Sequence, residues 1–299
     1  MRTMLTRVRQ LLEMIRFSHT LFALPFALVG ALLAWRAEER FRGLDLIGIL
    51  ACMVFARSAA MAFNRLADRR YDAANPRTAG RHLPTGALAP AAVWAFTAVT
   101  ATGFVAATFL FVVSSGNWLP VILAGPVLLF LGGYSLTKRF TALSHFWLGA
   151  ALMLAPMAAW LAIRGAVEWP PVVLGLAVLC WVAGFDILYA CQDVDFDRRA
   201  GLHSVPARLG VPGSLRLAAL CHAAMVGLLV LLGWVAGLGP VYYAGVGAVA
   251  ILLAYEHWLV RPDDLTRVNL AFFHVNSVIS VGVLLFVALD LWLQTTRAG

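Results

Sequence analysis

Apolar stretches long enough to carry an α-helix across a hydrocarbon core of about 30 Å, which takes roughly 18 to 25 residues, recur along the whole of this chain. They occupy residues 20–35, 44–63, 90–113, 118–136, 145–163, 171–191, 215–236, 239–260 and 269–293; the first is the shortest and contains Pro25. Of all residues 62% are hydrophobic and 13% are charged, too few charges to coat a soluble core of that size. The solvent is therefore lipid. The expected fold is all-α: a multi-pass transmembrane bundle of about nine helices, one membrane domain over residues 1–299, with polar cytoplasmic loops capping one end. The basic N-terminal stretch runs into the first span with no small-residue cleavage site, so it is expected to remain as an anchor.

Charge tests this reading, because Lys and Arg collect on cytoplasmic loops. With the N-terminus inside, the cytoplasmic side holds Arg2, Arg7, Arg9 and Arg16, then Arg57, Arg65, Arg69, Arg70, Arg77 and Arg81, then Lys138 and Arg139. Arg198, Arg199, Arg208, Arg216, Arg261 and Arg267 follow on the same side. The outer side keeps Arg36, Arg40, Arg42, Arg164 and Arg297, with Glu38, Glu39, Asp45 and Glu168 nearby. The prediction is N-terminus in, C-terminus out. A net charge of +8 then reflects topology and attraction to anionic lipid, not a nucleic-acid partner. Cys52, Cys180, Cys191 and Cys221 stand singly in or beside apolar spans and read as small core residues.

Polar residues gather in two cytoplasmic loops, 63–86 (FNRLADRRYDAANPRTAGRHLPTG) and 185–210 (FDILYACQDVDFDRRAGLHSVPARLG). Each joins an acidic run spaced in fours at a helix end to a pair of arginines and a Gly/Pro-containing polar segment, which hints at two related halves. Asn64, Asp68 and Asp72 are spaced i, i+4, i+8, and so are Tyr189, Asp193 and Asp197; on a helix each set shares a face. Carboxylates four residues apart can share Mg²⁺, which takes one or two carboxylates and completes its shell with water and phosphate oxygens. Two such faces opposed could hold one diphosphate. Either run alone reads equally well as a solvated helix end; their recurrence at matching helix ends favours the metal.

Arg57 lies seven residues before Asn64, about 10 Å deeper along the helix, and Asp186 stands in the same relation to Asp193. A charge inside a span costs about 2.5–3.5 kcal/mol, so each calls for a polar cavity and a partner. Arg77, Arg81 and Lys138, the last one turn after Tyr134, supply guanidinium and ammonium donors suited to diphosphate oxygens.

The runs N64-x3-D68-x3-D72 followed by PRTAGRHLPTG, and D186-x2-Y189-x3-D193-x3-D197 followed by RRAGLHS, resemble the UbiA superfamily of intramembrane aromatic prenyltransferases. So do Tyr134-x3-Lys138 in YSLTKRFTALSHFWLG, the stretch RFSHTLFALPFAL beginning at Arg16, and the count of nine helices. The resemblance implies that Asp68, Asp72, Asp193 and Asp197 ligate Mg²⁺, that Asn64, Arg77, Arg81 and Lys138 serve the diphosphate, and that Tyr134, Tyr189 and Asp186 line the reaction centre. Two positions depart from the family pattern: Arg65 where an acidic residue is common, and His82 where proline is usual. The quinone branches are the more similar.

The implied chemistry is ionisation of a polyprenyl diphosphate and alkylation of a small aromatic acid such as 4-hydroxybenzoate, oriented by Arg57, in ubiquinone or menaquinone biosynthesis. Asp186 or the released diphosphate would take the ring proton. A naphthoate acceptor of the futalosine-type menaquinone route is the alternative. A secondary transporter would carry polar residues through the midplane to both faces, and a lipid-head-group phosphotransferase would concentrate its acids in one motif; neither matches this pattern. The expected location is a bacterial plasma membrane with the active site toward the cytoplasm.

Overall fold

The computed structural model describes residues 9–15 and 22–298. The expectations placed on Arg2, Arg7, Arg16 and the first part of the opening motif, through residue 21, lie outside the described residues. Among those described the chain is helical throughout, and its one β contact is the isolated bridge between Arg261 and Asp264. It divides into two compact units, Met1–Thr20 with Leu44–Thr137, and Leu21–Gly43 with Lys138–Gly299.

In the first unit run α2 (Gly43–Ala67), α3 (Arg69–Ala74), α4 (Pro90–Ser115) and α5 (Leu119–Thr137). Rings of α2 and α4 seat on each other's glycines: the Phe111 ring lies over Gly48, and the Phe55 ring over Gly103. α4 ends at Gly116, whose φ of 72° is a conformation that favours glycine and lets its N–H reach the Val112 carbonyl. The loop after α3 is anchored by Leu83 and Leu88, which join Met14, Ile15, Ala62 and Val93 in one buried cluster.

The second unit holds α1 (Leu24–Glu38), α6 (Ser144–Arg164), α7 (Trp169–Ala190), the 3₁₀ turn Cys191–Asp193, α8 (Val194–Arg199), α9 (Val205–Val235), α10 (Pro240–Leu259) and α11 (Asn276–Ala298). A π-helical turn, Ala271–Val275, leads into α11. α7 is the centre of this unit: 67% of the most apolar window of the span it begins is buried, against 11–39% in the other candidate spans. It packs on α6 and α9, while α1 packs on α6 and α11 on α10. Pro90, Pro170, Pro206 and Pro240 open α4, α7, α9 and α10, each in the first turn where a missing N–H costs nothing. Within α9 the chain bends at Gly210 (φ 69°, ψ 173°), two residues before Pro212, which explains why its apolar stretch starts at 215 although the helix begins at Val205.

Every predicted span has a helix, and the chain is an integral membrane protein. Seven of the described helices are long and apolar enough to cross a membrane. Two of the nine expected spans fall short of that. α1 has 15 residues, a rise of about 22 Å against a core of about 30 Å. The 20 residues of α10 include Tyr242, Tyr243, Glu256 and His257, which lower its hydropathy. All four cysteines are free; Cys191 and Cys221 are buried, as expected of core residues, whereas Cys52 and Cys180 are only partly buried.

Candidate active site

Regular α-helix is interrupted within each acidic run, at Asp68 in the first and over the 3₁₀ turn Cys191–Asp193 in the second. Asp68 (φ −89°, ψ 2°) separates α2 from the six-residue α3, and Asp193 (φ −106°, ψ 7°) closes the 3₁₀ turn before the six-residue α8. Both sit in the sparsely populated bridge region of backbone space, where many active-site residues lie. In the first run the i, i+4 hydrogen bonds persist across the break, Asp68 N–H to Asn64 at 2.9 Å and Asp72 N–H to Asp68 at 2.8 Å. Each short helix then carries one buried aspartate, Asp72 or Asp197, and each of these meets a cation. The two halves suspected from sequence therefore share a local design.

In the first unit the Asn64 amide donates from Nδ2 to Asp68 Oδ2 (2.9 Å) and to Ser135 Oγ on α5 (3.3 Å). Its Oδ1 accepts from Arg65 Nη1 at 3.5 Å, and Arg65, itself buried, also donates from Nε to the Met14 carbonyl. Arginine at this atypical position thus supports Asn64 from behind the carboxylate row. Arg81 Nη1 lies 2.6 Å from Asp72 Oδ1, while Asp72 Oδ2 is buried with no hydrogen-bond partner among the described residues. The loop that delivers Arg81 is held by Thr78 Oγ1 donating to the Asp72 carbonyl (3.0 Å) and by the Arg77 N–H donating to Asn75 Oδ1 (3.0 Å). Arg57 is half-buried two turns before Asn64 on α2, and Tyr134 lies in the last turn of α5.

In the second unit Lys138 Nζ stands 3.2 Å from Asp197 Oδ2. The following loop is pinned by the Leu202 N–H on the Asp197 carbonyl (2.8 Å) and the His203 N–H on the Lys138 carbonyl (2.7 Å). The Tyr189 ring packs 4.3 Å from that of Phe272, at the edge of an aromatic cluster that continues through Phe185, Phe22 and Trp181. Asp186 meets His145, whose Nδ1 is 2.7 Å from Asp186 Oδ2. Sequence reading missed His145 and Ser135. The only signal for His145 was a titratable side chain at the first position of an apolar span.

Among the described residues no three His, Cys, Asp or Glu side chains form a cage for a metal ion. The donors present are hard carboxylate oxygens, and Asp72 Oδ2 is a buried carboxylate oxygen with no hydrogen-bond partner among the described residues. That set suits a cation which takes few protein ligands and fills its shell from a phosphorylated substrate.

A polytopic helical membrane protein with two aspartate-rich helix breaks, each meeting a basic side chain, is the class that the fold and site define. Residues 23–278 match the UbiA prenyltransferase family, and the chain belongs to that family. It is 31% identical over 259 residues to a 4-hydroxybenzoate octaprenyltransferase of Aromatoleum aromaticum, covering 85% of this chain and 84% of that one. Among solved structures it is similar to the apo structure of a UbiA homolog from Aeropyrum pernix K1, with TM-score 0.81, 33% identity and coverage of 91% and 98%. A UbiA homolog from Archaeoglobus fulgidus bound to DMAPP and Mg²⁺ shares the fold at TM-score 0.65, 17% identity and coverage of 93% and 98%. Membership in a prenyltransferase family sets aside the transporter and phosphotransferase readings.

Proposed function

We propose that this enzyme transfers a polyprenyl group from an isoprenyl diphosphate to 4-hydroxybenzoate in quinone biosynthesis, with Mg²⁺ as cofactor. The observation that carries the reading is the paired design of the acidic runs: a bridge-region aspartate, a short helix, and a buried aspartate held to Arg81 in one unit and to Lys138 in the other. The relative named for this activity aligns with 85% of the chain, and the A. fulgidus homolog is the one described with DMAPP and Mg²⁺.

Asp68, Asp72, Asp193 and Asp197 would hold Mg²⁺, which would supply positive charge to offset that of the diphosphate leaving group. Arg77, Arg81 and Lys138 bind diphosphate oxygens, Arg81 and Lys138 exchanging their carboxylate contacts for phosphate. Asn64 is preset for the same group by Arg65 and Ser135. Arg57 pairs with the acceptor carboxylate, Tyr134 and Tyr189 line the reaction centre, and Asp186 receives the ring proton. Residues 1–299 act as one catalytic domain with the N-terminus inside, in a bacterial plasma membrane, the acidic runs opening to the cytoplasm and the prenyl tail to lipid.

The test is prenyl transfer in proteoliposomes from labelled geranyl or longer diphosphates to 4-hydroxybenzoate, with a naphthoate for comparison. Product is expected with 4-hydroxybenzoate, lost on chelation of Mg²⁺, restored on its return, and reduced at least a hundredfold by Asp68→Ala and by Asp193→Ala. Alkylation of the naphthoate alone overturns the acceptor assignment, and product unaffected by either substitution overturns the metal sites.

A further inference from the structure

His145 is fully buried, whereas the Asp186 side chain it meets keeps 18% exposure. A carboxylate among apolar helices needs a donor, and the orientation of this one is decided by a third group. The backbone N–H of Val205 points at His145 Nε2 from 3.3 Å, so that nitrogen carries the lone pair. A neutral imidazole has one N–H, which must then lie on Nδ1 and donate to Asp186 Oδ2 at 2.7 Å. Oδ2 then accepts from the histidine, and Oδ1 stays uncommitted to it.

We propose that His145 is a positioning residue for prenyl transfer, locked in its Nδ1–H tautomer by Val205 so that it clamps Asp186 Oδ2 and leaves Oδ1 as the base. The proposal rests on the reaction assigned above. In that reaction the allylic C–O bond breaks with its electron pair leaving on diphosphate, and a ring π pair forms the new C–C bond. The C–H pair then returns to the ring as the proton passes to Asp186 Oδ1. A carboxylate free to rotate would present either oxygen, or neither, to that proton.

The lock belongs to a loop with other duties. Residues 202 and 203 are bonded to the backbones of Asp197 and Lys138, Ser204 caps α9 through the Ala207 N–H, and Val205 reaches His145. One four-residue segment thereby registers a proposed metal ligand, a diphosphate-binding lysine and the Asp186 clamp together.

Amide substitutions separate the two nitrogens. In His145→Asn the Nδ2 group can replace the donor to Asp186; in His145→Gln the terminal amide reaches the Nε2 position and keeps only the Val205 contact. In proteoliposomes of the full chain, His145→Asn is expected to hold kcat within about fivefold of wild type, while His145→Gln and His145→Ala lose roughly a hundredfold in kcat. KM for geranyl diphosphate stays unchanged in all three. Adding His145→Ala to Asp186→Asn should cost nothing beyond Asp186→Asn alone, because the clamp acts only through Asp186. Binding of labelled geranyl diphosphate reports folding separately from transfer. Equal losses in the Asn and Gln variants, additive losses with Asp186→Asn, full activity of His145→Ala, or loss of diphosphate binding in the Gln variant each overturn the proposal. If wild type alkylates no aromatic acid, the functional reading itself has failed.

Discussion

Asp72 is a residue at which an acidic side chain, burial and a basic partner meet. Its side chain is 9% exposed, one oxygen takes Arg81, and the other has no hydrogen-bond partner among the described residues. Arg81→Ala should therefore leave a buried carboxylate with neither oxygen compensated, costing about 2–3 kcal/mol. The measurement is the unfolding midpoint in detergent, expected to fall by several degrees. Adding Asp72→Asn to Arg81→Ala should recover part of the loss, since a neutral amide is cheaper to bury. Losses that simply add would show that the pair is not coupled. The acidic residues, their spacing and the basic residues near them were legible in the sequence, because chemistry that needs paired carboxylates leaves paired carboxylates in the text. Which cation meets which carboxylate was not: the Arg81–Asp72 pair spans nine residues and Lys138–Asp197 spans 59. His145 escaped notice for the same reason, its partner Asp186 being 41 positions away.

Helices in this protein meet through small residues, as expected where lipid removes the hydrophobic drive between them. A Cβ on Gly149 of α6 would lie 2.5 Å from the Leu179 carbonyl oxygen of α7, and one on Gly30 of α1 2.5 Å from the Pro156 carbonyl oxygen of α6. Gly149→Ala should push α6 and α7 apart at a cost of about 1–3 kcal/mol. Gly227→Ala, where a Cβ meets nothing within 4 Å, should be neutral or stabilising by up to about 1 kcal/mol from helix propensity. Comparing the two midpoints checks the packing, and equal behaviour would contradict it. Polar side chains add a second tie in the same unit. Trp181 donates to Asn276 (2.6 Å), Asn276 to Glu256 (2.8 Å), and His222 bonds His257 (3.0 Å), linking α7, α9, α10 and α11. In the sequence Glu256 and His257 are simply two polar residues near the end of the apolar run 239–260. The helix breaks at Asp68 and Asp193 were hidden too, since neither Gly nor Pro marks them.

At the scale of the whole molecule, the arginine asymmetry makes a prediction about orientation. After removal of the four native cysteines, Phe140→Cys should react with an impermeant reagent only in inside-out vesicles, and Val167→Cys only in right-side-out ones. Both parent residues are well exposed, at 66% and 68%. The reverse pattern would invert the proposed topology and turn the acidic runs outward. The sequence by itself determined that the chain is a helical membrane protein, roughly where each span lies, and where its acidic and basic residues gather. Those properties are local: apolar length sets a span, and i, i+4 spacing sets a helical face. Tertiary structure alone decided the partners of the charges, the glycines under close approach, the aspartates at which the helices break and the histidine that orients Asp186. Each of these depends on residues far apart in the chain being packed together, and a spacing rule that acts over one or two helical turns carries no information about them.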